Sequence, residues 1–280
     1  MAKKRFPTSP RFEFGIVSAD IIEDVLIDLA KENEQCLANL SEYAGTFKDP
    51  RIIEIVFILS EVWCQDNSTK YQAVEILDRY KEIHICRNDK KFLHKTSKEY
   101  RETLLSDTTL SEPWSLLKVH LSKTFMLRLT SCFQVASKLS FHCHVIDNNT
   151  VQKFLQSVGF TYSKVEILKS ELTVLNTLDF HVNLLSPFSY VELLLEVLGH
   201  NGCSLSLKHL REMCILILDL VYLLKSSIYD MILKASIEFP SPNNLQRKKF
   251  MPVKEDQMLL ATGIISASAL ILRENSWNKV

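Results

Sequence analysis

Side chains with ligating or nucleophilic chemistry are few and scattered in this chain. The segment "LSFHCHVID" (139–147) places His142, Cys143 and His144 in a row, with Cys132 upstream. A structural zinc closes a tetrahedron with ligand pairs spaced along the chain; three adjacent ligands do not follow that spacing, and no second pair is evident. The run is therefore expected to be a loop with exposed polar rings, not a metal site. The 7 cysteines are odd in number, spread out and without a CxxC, so reduced thiols are expected rather than a disulfide framework. With only 6 glycines there is little material for a phosphate-cradling loop, and neither GxGxxG nor GxxxxGK[ST] occurs. No clustered acid–base set is present, so no catalytic residue and no cofactor is expected.

A different signal sits in "SCFQVASKLS" (131–140). Small residues, Ala136 and Ser137, stand where a core-facing helix would carry a large hydrophobe, and Lys138 follows at once. Small residues let helices approach closely. Lys138 has two readings. It finishes the helix, since a cation near a C-terminus gains about 0.3–1 kcal/mol from the macrodipole, or it reaches outward to a partner.

The elements that must position these residues are helical throughout. At 280 residues, 46% hydrophobic and 24% charged, the chain can bury a sizeable core, and its formal net charge of zero gives it no general pull towards nucleic acid. Residues 1–17 read as a flexible tail, basic but without the apolar region of a secretory signal. In 19–40 the residues Ile21, Ile22, Val25, Leu26 and Leu29 recur at helical spacing, with a strongly acidic opposite face. "RIIEIVFILSEVWC" (51–64) is helical through Ile55, Ile58, Leu59 and Val62. The next helix carries a capping box, Thr69 with Gln72, and an inner stripe of Ala73, Ile76, Leu77 and Tyr80. Residues 86–113 are polar and long for a connection, and read as an insertion. A central helix then runs from Pro113 to Leu139 with Phe125, Leu129, Cys132, Phe133 and Ala136 on one side. A short Asn-capped helix ends at Gly159. Ser163 and Glu166 cap the next, whose inner face is assigned Ile167, Leu168, Leu172, Leu175 and Leu178.

These elements make five helices between 51 and 179. Ser186 and Pro187 then start a further series: 187–199, 205–224, 227–237 and 255–274, with "EFPSPNNLQRKKFMPV" (238–253) as a surface loop. The longest apolar run, "CILILDLVYLL" (214–224), is interrupted by Asp219 and is too short to span a bilayer. The basic clusters "KKR" (3–5) and "QRKKF" (246–250) are read as solvated loops, with nuclear import or phosphate contact as the alternative. The Ser-Pro pairs near 9 and 241 mark turns or phosphorylation sites. The fold class is all-α.

Three pieces together resemble the cyclin family. "AVEILDRY" (73–80) resembles the second helix of a cyclin box, "CFQVASKL" (132–139) the end of its third, and "YSKVEILKSELTVLNTLDFHVNLLSPFSYVE" (162–192) its fifth helix and the crossing to a second box. Further likeness in "YVELLLEVLGHNGC", "ILDLVYLL" and "VKEDQMLLATGIISASA" extends from about Phe12 to the C-terminus and resembles a divergent germ-cell branch of the family. The resemblance implies a cyclin-like bundle with a complete first box and a partial second one. The implied division is a tail at 1–17, an N-terminal helix and box at 18–185, and a partial box at 186–280. It further implies a regulatory protein, not an enzyme, that promotes formation and maturation of meiotic crossovers in the nucleus. Its partners are then proteins: a cyclin-dependent kinase, or replication or ubiquitin-pathway factors, with neither sequence-specific nucleic-acid binding nor a membrane.

By the same resemblance, Lys138 and Glu171 form the pair that faces a kinase; Glu171 read alone is a solvated face residue. The chain departs from the family after Lys138, where "LSFHCHVIDNN" replaces an acidic, proline-containing turn. It also departs at 50–58, where Pro50–Arg51 and Phe57–Ile58 stand in place of the residues that dock substrate peptides.

Overall fold

The computed structural model describes residues 13–41, 44–45, 48–88, 123–140, 145–237 and 242–277. Most of the N-terminal tail, including the 3–5 cluster and the first Ser-Pro, lies outside them. So do residues 89–113 of the expected insertion, the 142–144 run and Ser241. The described residues form helices and no strand: α1 (Ala19–Ala38), α2 (Pro50–Val62), α3 (Asn67–Asn88), α4 (Lys123–Leu139), α5 (Asn148–Ser157), α6 (Lys164–Thr177), α7 (Pro187–His200), α8 (Leu207–Ser236), α9 (Asn244–Glu255) and α10 (Gln257–Trp277). The chain divides into two compact units. An inner unit takes 40–186 with 222–225, and a terminal unit takes the residues up to 39, 187–221 and 226 onward. Helix α1 thus clusters with the helices after Pro187.

The inner unit contains the five expected helices, α2–α6. Helix α3 is its centre, packed by α2, α4 and α6. The expected stripe Ala73, Ile76, Leu77 and Tyr80 is buried, but so is the rest of the helix surface from Thr69 to Asp78. Ile53, Leu59, Leu129, Phe133, Leu155, Ile167 and Val174 complete the core. Two aromatic edge contacts lock Trp63 between Phe133 and Phe154, both at 5.3 Å between ring centres.

Several local expectations are corrected. Helix α3 is capped not by Thr69 and Gln72 but three residues earlier, where Asp66 Oδ1 accepts the Thr69 N–H at 2.8 Å; Asp is a strong cap, and Thr69 is buried inside the helix. Helix α5 is capped by Asp147, not by an asparagine, and Asp147 accepts the Thr150 N–H at 2.8 Å. Its end at Gly159 is as expected: φ is +84° there, and the Phe160 N–H returns to the Leu155 carbonyl at 2.7 Å. The Ser163–Glu166 capping box of α6 is present in full.

In the terminal unit, α1, α7 and α10 pack together. Residues 205–237, read as two helices, form the single α8 of 30 residues. The loop expected over 238–253 is largely α9, opened by an Asn243–Gln246 capping box, with Pro252 inside it. The "QRKKF" cluster therefore lies on a helix.

Some apolar positions face outward. Val62, Ile21 and Val25, all members of the apolar periodic sets of their helices, are exposed. So are Leu168 and Leu172 of α6, whose inner face is instead Ile167, Ser170, Glu171, Val174 and Leu178.

Candidate docking face

The small residues before Lys138 build a joint. Ala136 and Ser137 are buried, and the Ser137 hydroxyl accepts the Ile146 N–H at 3.2 Å while donating to the Gln134 carbonyl at 2.9 Å. Gln134 Nε2 donates to the Ile146 carbonyl and to Asn148 Oδ1, at 3.3 and 3.0 Å. The end of α4 is thereby tied to the start of α5. One turn earlier, the Ser131 and Ser170 hydroxyls meet at 2.7 Å between α4 and α6. Hydroxyls this close need backbones close enough to exclude larger side chains, so the small residues set the spacing of the two helices.

That spacing brings Lys138 and Glu171 together. Lys138 Nζ donates to Glu171 Oε1, and the two side chains are 45% and 9% exposed. Lys138 finishes its helix, and within the chain its partner is Glu171. It lies in the last turn of α4, where a cation is favoured, and it is the half-exposed member of an ion pair joining two helices. Glu171 is buried, not a solvated face residue. On the same stretch of α6, Val165, Leu168 and Leu172 are exposed at 72%, 50% and 51%. Their spacing of three and four residues puts them on one helical face. An ammonium group with an adjacent apolar stripe on a rigid pair of helices can bind another protein's surface.

The inner unit also holds charge that sequence reasoning did not find. Lys48 Nζ donates to Glu75 Oε2 at 2.7 Å and lies 4.0 Å from Asp78 Oδ2, with all three side chains nearly buried. The Tyr222 hydroxyl donates to Glu75 Oε1 at 2.7 Å, and the Gly45 N–H to Asp78 Oδ2 at 3.2 Å. Burial and the facing Glu75 carboxylate push the Tyr222 phenol well above its usual range. Lys70 Nζ lies over the Phe57 and Tyr71 rings, 4.7 and 4.6 Å from their centres. A signal existed, since Glu75, Asp78 and Glu82 recur at three and four residues on one face of α3, and a central helix with such a face needs cations from elsewhere. The partners are too far along the chain to be named from it.

The remaining reactive groups are quiet. Burial pushes the Cys132 thiol up to about 12, which keeps it protonated and a poor nucleophile or metal ligand. Burial likewise raises the Cys214 thiol. Among the described residues no group of three or more His, Cys, Asp or Glu side chains is placed to hold a metal ion. No single described helix is long and apolar enough to cross a membrane.

The chain is 46% identical over 269 residues to cyclin N-terminal domain-containing protein 1 of Mus musculus, an alignment covering 96% of this chain and 78% of the relative. It is 47% identical over 272 residues to the protein of the same name from Homo sapiens, covering 96% and 79%. No protein-family model and no solved structure matches it. Identity of this degree over nearly the whole chain, on an all-helical structure with five helices where the box was expected, settles the relationship: the chain belongs to the cyclin N-terminal domain-containing protein 1 family.

Proposed function

We propose that this protein is a non-catalytic, cyclin-like regulator that promotes crossover formation and maturation in meiotic recombination, working in the nucleus as a scaffold for other proteins. The observation that carries the scaffold reading is the rim of α4 and α6. There a half-exposed Lys138 is fixed by buried Glu171 of α6, the helix that also carries the exposed Val165, Leu168 and Leu172. An interface core combines a few apolar anchors with a positioned charge, and most of the binding energy comes from such anchors. The reading is tested by complementing germ cells that lack the protein with Leu168→Ser plus Leu172→Ser and counting crossovers. A folded, stable variant that restores full crossover number overturns it.

A second reading is favoured by the ion pair itself: binding and activation of a cyclin-dependent kinase. A cyclin catalyses nothing; it presents a rigid surface that holds a kinase helix in place and so completes a Lys–Glu pair within the kinase. Lys138 and Glu171 are the positions that the family resemblance assigns to that surface. Co-elution of the purified protein with candidate kinases, with and without Lys138→Ala and Glu171→Ala, separates the two readings. Kinase binding that is lost in both variants supports activation. No kinase binding, with crossover function dependent on Leu168 and Leu172, leaves the scaffold.

A further inference from the structure

We infer that α1, with the segment leading into it, is a second docking surface, and that its occupant is a basic amphipathic segment of a partner protein. The surface has an apolar and an acidic part. Ile21 and Val25, one turn apart, are 55% and 41% exposed, and Ile16 and Val17 just ahead of the helix are exposed as well. The backbone that carries them is held in place. Glu196 Oε1 accepts the N–H groups of Ile16 and Val17, both at 2.9 Å. The inner face of α1 is fixed by Ile22, by Tyr190 donating to the Leu29 carbonyl at 3.2 Å, and by Asn33 donating to Asp256 Oδ1 at 2.9 Å. An ordered patch gives up less freedom on binding than a loose one.

The acidic part is a ladder. Asp20, Asp24, Asp28 and Glu32 follow one another at intervals of four, all exposed, alongside Ile21 and Val25. Like charges at that spacing weaken a helix. One cation offsets the ladder, Lys31 at 3.7 Å from Asp28. Over residues 13–38 there are seven acids (Glu13, Asp20, Glu23, Asp24, Asp28, Glu32 and Glu34) against Lys31 alone, a net charge of −6 by subtraction. A stretch that disfavours its own helix and leaves apolar side chains in water has no reason within this fold.

Charge complementarity selects the occupant. Nucleic acid and an anionic membrane are repelled by this field. A second copy docking through the same patch would set one acidic ladder against another. A segment with apolar side chains at helical spacing, flanked by lysine and arginine, satisfies both parts. The inference is independent of which partner engages Lys138.

The test uses the full chain and three fluorescent peptides: a Leu/Lys amphipathic helix, its Leu/Glu counterpart, and a scrambled Leu/Lys sequence without an apolar face. Binding is followed by fluorescence anisotropy at physiological ionic strength. Saturable binding of the first peptide alone is expected. It should weaken about tenfold or more with Ile21→Ser plus Val25→Ser, and by a similar factor with Asp24→Lys plus Asp28→Lys. All four positions are exposed, and circular dichroism checks that each variant folds. Absence of saturable binding overturns the proposal, as does equal binding of the scrambled peptide or insensitivity to the Ile21 and Val25 changes. Self-association of the chain that is lost in the Ile21→Ser plus Val25→Ser variant assigns the face to a second copy and also overturns it.

Discussion

The Tyr222 hydroxyl donates to Glu75 Oε1 at 2.7 Å across 147 positions of sequence, while Lys48 holds the other carboxylate oxygen. A buried carboxylate is tolerable only with such partners, because desolvation of an unpaired charge costs several kcal/mol. Tyr222→Phe removes one hydrogen bond to a charged group and should lower unfolding free energy by about 1.5–3 kcal/mol. Glu75→Ala should cost more, about 3–5 kcal/mol, since it leaves the buried Lys48 ammonium without its nearest carboxylate. Urea denaturation of the three proteins gives the ranking. Equal midpoints for wild type and Tyr222→Phe would show that the bond contributes nothing.

The Lys138–Glu171 pair should respond asymmetrically. Lys138→Ala strands a carboxylate that is 9% exposed, whereas Glu171→Ala frees an ammonium that is 45% exposed and can be hydrated. The first substitution should destabilise by roughly 1–3 kcal/mol and the second by distinctly less. Chemical denaturation measures both. If both cost the same, Glu171 has other support in the fold, and the view that Lys138 compensates it is wrong.

How far this structure was legible in the sequence depends on the range of the interaction involved. The capping box of Ser163 and Glu166 and the left-handed Gly159 were readable because their partners lie within one turn. Helices α2–α6 were readable from periodicity. Periodicity finds an apolar stripe without saying what covers it, so Leu168 and Leu172 were assigned to an inner face and found in water, and the stripe of α1 leaves Ile21 and Val25 exposed. The break expected between 224 and 227 is absent, since Lys225 and Ser226, the residues between the two expected helices, are not helix breakers. Helix α9 falls in the stretch read as a surface loop; the local signal that could have found it was Asn243 with Gln246. The Lys48–Glu75–Tyr222 cluster needed tertiary structure, since nothing local pairs residues so far apart. The Lys138–Glu171 pairing was named from family resemblance and then found in the geometry.

The N-terminal segment should be released by acid. Burial by itself would raise the Glu196 carboxyl, but hydrogen bonds from the backbone N–H groups of Val17, Gly15 and Ile16 outweigh it and hold the carboxyl below its usual value. A lowered carboxylate contributes stability above the unfolded-state pKa near 4.5 and loses it as pH falls through the lower folded value. Amide exchange at Ile16 and Val17 should therefore be slow at neutral pH and accelerate at acid pH beyond the intrinsic trend. Glu196→Ala should show the fast rate at both. A second contact offers an independent handle. A Cβ at Gly199 would lie 2.7 Å from the Gly15 nitrogen and 2.8 Å from the Phe14 carbonyl carbon. Gly199→Ala should displace the segment without touching the carboxylate. Unchanged exchange in both variants would show that neither contact holds it.

Cysteine chemistry separates by burial and backbone. Cys132, raised to about 12 and buried, should resist alkylation in the native state, whereas Cys36 and Cys64 are exposed and should react first. Cys64 also sits at φ +50°, just after α2, while the Gln65 N–H closes the helix end on the Ser60 carbonyl at 2.8 Å. A left-handed conformation costs an L-residue about 1–2 kcal/mol and costs glycine almost none. Glycine gives part of this back through a more flexible unfolded chain. Cys64→Gly should therefore raise unfolding free energy by up to about 1 kcal/mol and remove one of the two exposed thiols among the described residues. Cys64→Ala should remove the same thiol without the gain. Comparing the two by thermal unfolding isolates the backbone effect from loss of the side chain, and equal melting temperatures would mean that the left-handed turn carries no strain.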